Sequence, residues 1–153
     1  MRTLTNAACL KEILDRLSRV RADSPRRWGK MNAHQMICHL NDSFRVAMGQ
    51  KTVSMASPAI ISRRLMKRIA LYFPMQWPHG VPTRPEIDQE ISGTAPAEFQ
   101  ADLQKVIATT EEFVRVPRTF TFGTHPMFDT MTEADWMRWG YLHCDHHLRQ
   151  FSC

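Results

Sequence analysis

The sequence predicts an all-α protein, a four-helix bundle running up-down-down-up. Three observations carry that expectation. Four long segments repeat apolar residues with the period of an amphipathic helix, and no segments alternate for long enough to build a sheet. The connections are also unequal. Short links join the first helix to the second and the third to the fourth, which makes each pair antiparallel neighbours. The stretch from Gly49 to Thr94 is long for a bundle and allows a full crossover, so helices two and three can run parallel. At 153 residues the chain is expected to be one domain, 1–153, with a single core.

The first helix is expected from Thr5 to Val20, with Leu10, Ile13, Leu14, Leu17 and Val20 inward and Lys11, Glu12, Asp15, Arg16 and Arg19 outward. Ser24-Pro25 and Gly29 break the pattern, and Trp28 on this connection reads as a core plug. The second helix, Ala33 to Met48, has a capping-box pattern in Asn32 and Gln35, a staple in Met31 and Met36, and Gly49 as its C′ residue. Met36, Leu40 and Ala47 mark its inner face, with His39 and Ser43 on the same arc.

Part of the crossover reads as a basic amphipathic helix: Ser57 as cap, Pro58 in first position, then Ile61, Leu65, Ile69 and Phe73 apolar. Arg63, Arg64, Lys67 and Arg68 read as its solvated face. PMQWPHGVPTRPEID follows, with four prolines and a glycine, and can be neither regular helix nor central strand. The loop can wall a pocket or simply bridge two helix ends, with His79 exposed on it. The third long helix is expected near Ala95, with Thr94 as cap and Pro96 in the first turn, and ends at Val116-Pro117. The brief Thr/Phe alternation after it is too short for a sheet, and His125 before Pro126 reads as a turn residue.

The fourth helix, Thr132 to Gln150, organises the rest. Thr132 and Asp135 make an acidic capping box, and Met131 and Trp136 a hydrophobic staple. At about 100° per residue, Trp136, Trp139, Gly140, His143, His147 and Gln150 share one side. His143 and His147, at i and i+4, project together and can reach a single ion. His39 can face them across the core. Three neutral imidazoles suit zinc, nickel, copper or iron, and three protein ligands leave a position for water or substrate.

Composition narrows the function classes. No apolar run is long enough to span a bilayer and the N-terminus lacks the apolar core of a signal peptide, so the expected location is cytoplasmic. Four irregularly spaced cysteines without a CxxC pair read as free thiols. A net charge of +5 is mild, and no nucleic-acid motif or aromatic-interleaved basic surface occurs, so neither a nucleic-acid nor a membrane partner is expected.

A histidine midway along the second helix (QMICHLNDSF) followed by HxxxHxxQ on the last (His143, His147, Gln150) resembles the DinB/YfiT-like superfamily of metal-dependent bundle proteins. WGKMNAHQMICHL, WPHGVPTRPEID, HPMF and HHLRQF together resemble a bacterial branch of unknown function. The resemblance covers nearly the whole chain. It implies the same up-down-down-up bundle, homodimers, and a divalent metal (zinc, nickel or iron) on His39, His143 and His147. It also implies transfer chemistry on a small-molecule substrate with a low-molecular-weight thiol, whose sulfur the metal binds and holds as thiolate. On that reading Gln150 orients a neighbouring imidazole or shapes the cofactor pocket, and Trp139 is a wall of it. His146 is expected outside the ligand set, and Cys38 and Cys144 as buried small residues. No Asp or Glu is expected on the inner arc beside the ligands, which keeps a non-catalytic metal-binding or stress-response module as the alternative.

Overall fold

Each helix begins on a side chain that supplies the hydrogen bonds its first turn lacks. In the computed structural model, which describes residues 1–56 and 62–153, the helices are α1 (Ala7–Ser18), α2 (Ala33–Ala47), α3 (Arg63–Tyr72), α4 (Phe99–Val114) and α5 (Glu133–Gln150). Asn6, Ser62 and Glu98 cap α1, α3 and α4, and full capping boxes, Asn32 with Gln35 and Thr132 with Asp135, open α2 and α5. A 3₁₀ turn, Pro85–Ile87, interrupts the long connection. The described residues form no strand, only an isolated bridge between His125 and Asp129. The protein is all-helical, and no helix among the described residues is long and apolar enough to cross a membrane.

Residue pairs fix which helices lie together. Along α2 and α4, His34 meets Asp102, Asn41 meets Thr109 and Phe44 meets Phe113, so the two run the same way. Leu4 bonds the Met137 carbonyl, and Arg16 reaches Asp145 and the Cys153 carbonyl, so α1 and α5 also run alike. Across α2 and α5, Phe44 packs on Trp139 while His39 faces His147, the opposite sense. Phe44, Phe113, Trp136, Met36 and Leu40 fill the space between. Gly140 lets α5 come close: a Cβ there would meet Leu4 Cδ1 at 2.7 Å and Phe44 Cε1 at 3.4 Å.

Four expectations need correction. The first helix is shorter than Thr5–Val20 because Asn6 takes the cap; Leu4 and Val20 are buried outside it. The third long helix starts at Phe99, not near Ala95. Asp42, fully buried on α2, takes both the N–H (2.8 Å) and the hydroxyl (2.7 Å) of Thr94, so Thr94 cannot cap and Glu98 does.

The crossover helix is turned about its axis relative to the expected face. Leu65 (51%), Ile69 (40%) and Phe73 (60%) are exposed, while Leu71 is buried and Met66 and Ala70 pack on the core. The cause lies in two cations. Arg63 donates to the carbonyls of Pro126 and Ala56, and Lys67 to Asp135 and the Thr130 carbonyl, which draws their side of α3 inward. The expected cap Ser57, Pro58 and Ile61 lie outside the described residues. Lastly, Trp28 is no core plug: it is half-buried and stacks on His79 with ring centroids 4.0 Å apart.

Candidate metal centre

His143 and His147 project from one face of α5 and His39 from the facing side of α2. All three expected ligands come together, with ligand atoms within 4.8 Å of one another. The Nε2 atoms of His39 and His143 are 3.3 Å apart. For metal–nitrogen bonds near 2.0–2.1 Å, the edge of a tetrahedral site is about 3.3 Å, so the pair already stands at the spacing an ion requires. The group is buried; His143 is the member whose residue keeps partial exposure.

Two of the three rings are locked by their outer nitrogens. His39 Nδ1 lies 2.9 Å from the Ile87 carbonyl, which can only accept, so the proton sits on Nδ1 and Nε2 keeps its lone pair. Gln150 Nε2 donates to the Trp28 carbonyl at 2.7 Å, which turns its Oε1 toward His147 Nδ1 at 3.0 Å. His147 therefore also presents a bare Nε2. Outer-nitrogen bonds of this kind fix tautomer and aim in metal-binding histidines. His143 Nδ1 is buried without a partner; its ring is held instead by near-parallel stacking on Trp139, centroids 4.8 Å apart.

The electrostatics favour neutral rings. Burial pushes His39 below its ordinary value, against the opposing pull of the Ile87 carbonyl and of Asp42 and Asp88. Burial and the neighbouring rings hold His143 and His147 well below theirs. Neutral imidazole is the ligand form. The group contains no carboxylate, so a divalent ion here would keep its full charge and favour an anionic further ligand.

Gln150 is buried with both ends of its amide engaged by the protein, and it orients His147. Trp139 is buried between His143, Phe44 and Trp136, a floor beneath the ligand ring. His146 is not part of the ligand group, although its ring meets that of His147 edge-on with centroids 5.1 Å apart. Its ring sits among Trp28, Trp77 and His79, and burial holds it down at about 4. His125 accepts the N–H groups of Met127 and Phe128 on Nδ1 and stacks on Phe128; burial pushes it down to about 3. Cys38 and Cys144 are both buried, as expected, and Cys38 Sγ also contacts Asp102.

What the sequence reading missed is the backbone: the Ile87 and Trp28 carbonyls that aim His39 and, through Gln150, His147. Gly29 carried the one available signal. It has φ +80, and a Cβ there would fall 2.6 Å from Gln150 Nε2.

The family model described as "Protein of unknown function (DUF1569)" matches residues 2–153. The chain belongs to that family. Comparison with curated proteins and with solved structures found no match. The description assigns no chemistry, so any chemistry for this member is argued from its own histidines.

Proposed function

We propose that this DUF1569 member is a metal-dependent enzyme of DinB/YfiT type that transfers a low-molecular-weight thiol to a small electrophilic substrate. The observation that carries the reading is the convergence of His39, His143 and His147, two of them with protonated outer nitrogens tied down and bare Nε2 atoms turned inward. His39, His143 and His147 would hold a divalent ion (zinc, nickel or iron), which would supply Lewis-acid chemistry favouring the thiolate form of a thiol at neutral pH. The Ile87 carbonyl and Gln150 fix the rings of His39 and His147, and Trp139 backs His143. The half-buried Trp28 and Trp77 form an aromatic rim on which the substrate can pack.

The up-down-down-up bundle of α1, α2, α4 and α5 belongs to this reading. The like directions of α1 with α5 and of α2 with α4, and the opposed α2 and α5, support it. A cytoplasmic, bacterial setting belongs to the same reading, in keeping with four free cysteines. A homodimer is supported by the exposed Leu65, Ile69 and Phe73 stripe. No nucleic-acid or membrane partner is called for, since Arg63 and Lys67 are bound within the fold.

The test is metal analysis of the purified protein beside His39→Ala, His143→Ala and His147→Ala variants, followed by turnover assays pairing thiols with electrophiles. Each variant is expected to lose metal, and full retention in all three rules the site out. Absence of metal-dependent turnover with any thiol removes the transferase reading.

One observation favours a non-catalytic metal-binding module instead: Asp42, the carboxylate closest in sequence to His39 on α2, is fully engaged by Lys51 and Thr94 and cannot act as a base. Thiol transfer does not need that base, since thiolate forms at the metal. A cobalt-loaded protein whose spectrum no added thiol perturbs would establish the module.

A further inference from the structure

We propose that His34, Cys38 and Asp102 form a second site, separate from the three-histidine centre, for a soft divalent ion such as zinc or cadmium. His34 and Cys38 stand at i and i+4 on α2 and share a face, turned by about 140° and about 100° respectively from His39, toward α4 rather than α5. Asp102 meets them from the first turn of α4. His34 Nε2 is 2.9 Å from Asp102 Oδ2, Cys38 Sγ is 3.8 Å from the same oxygen, and the three ligand atoms all lie within 4.8 Å of one another. Nitrogen, sulfur and oxygen donors around a tetrahedral zinc stand about 3.2–3.7 Å apart, so small rotamer adjustments close the set.

The charge pattern separates this site from the first. One thiolate, one carboxylate and one neutral imidazole balance a divalent ion, and a neutral cluster is far less costly to bury than a charged one. Thiolate selects soft ions. On binding, the ion takes the place of the Cys38 proton, which leaves to solvent; His34, whose Nε2 donates to Asp102 in the metal-free fold, shifts its single proton to Nδ1 and offers Nε2 to the ion. Asp102 retains the Ala97 N–H at 3.0 Å on Oδ2 and Lys105 at 3.2 Å on Oδ1, bonds of the kind that orient a ligating carboxylate. Cys38 and Asp102 are buried, and the partly exposed His34 leaves a route for the ion and a place for water.

The test uses the full chain with cadmium or cobalt alone and follows the ultraviolet sulfur-to-metal charge-transfer band, to which three imidazoles contribute nothing. A band that saturates by the second equivalent, once the three-histidine centre is also filled, is expected in the wild type. It should be absent in Cys38→Ser, weakened at least about tenfold in affinity in His34→Gln, and unchanged in Cys153→Ser. No band in the wild type, or a band that survives Cys38→Ser, overturns the proposal. Should Cys38→Ser fail to fold, unaltered affinity in His34→Gln overturns it instead. Metal lost from His39→Ala with the band intact would separate this site from the three-histidine centre.

Discussion

Gln150 aims His147: Oε1 of the amide accepts the Nδ1 proton at 3.0 Å because its other end is held by the Trp28 carbonyl at 2.7 Å. Replacing the amide with leucine keeps the bulk and removes both bonds. Gln150→Leu is therefore expected to weaken metal binding about 10–100-fold while leaving the helical circular dichroism unchanged. Competition with a chromophoric chelator measures it. Gly29→Ala should act in the same direction, since its Cβ would displace Gln150 Nε2 and its φ of +80 disfavours a side chain.

Acid stability should follow the buried histidines. His125 remains neutral in the fold down to about 3 because burial excludes its charge, whereas the unfolded chain takes up the proton near the ordinary 6.5. Below 6.5 the unfolded state binds one more proton than the native state. Stability of the metal-free protein therefore falls with falling pH, by about 1.4 kcal/mol per unit for this group, until the native ring titrates near 3. His125→Asn is expected to flatten the dependence by about one proton between pH 6 and 4. Urea unfolding across that range reads it.

These groups also show what was legible in the chain. The i, i+4 spacing of His143 and His147 on an amphipathic helix, and the boxes at Asn32–Gln35 and Thr132–Asp135, follow from local rules, and the structure contains them. His39 needed the fold to reach the other two, and the facing of α2 and α5 provides that. The Ile87 carbonyl left no trace, because any residue there presents the same oxygen. Helix α3 misled for a different reason. Leu65, Ile69 and Phe73 obey the amphipathic pattern, but nothing local reveals that Lys67 has a carboxylate waiting at Asp135.

Asp42 fastens the crossover to α2. It takes Lys51 Nζ at 2.8 Å from the start of the connection and Thr94 from its end, with the Ile87 carbonyl that aims His39 lying between. Asp42→Ala strands a largely buried ammonium and frees two loop ends, so it is expected to destabilise the fold by about 3 kcal/mol or more. Metal affinity should fall with it, measured on the fraction that remains folded. Thr94→Val, which removes only the hydroxyl, should cost about 1 kcal/mol. If Asp42→Ala left both stability and metal affinity unchanged, the crossover would have no part in aiming His39.

The outward stripe of α3 makes the last prediction. Leu65, Ile69 and Phe73 recur at i, i+4 and i+8, so they form one continuous apolar face exposed to solvent. Such a face on a helix rimmed by the exposed Arg64 and Arg68 suits another protein surface better than water. Replacing all three with serine removes no core contact of Leu71 or Met66 and should change unfolding free energy by no more than about 0.5 kcal/mol per site. Sedimentation equilibrium should then show a dimer in the wild type and a monomer in the triple variant. A wild-type monomer at high concentration, or a dimer that survives the substitutions, would move any self-association to another face of the molecule.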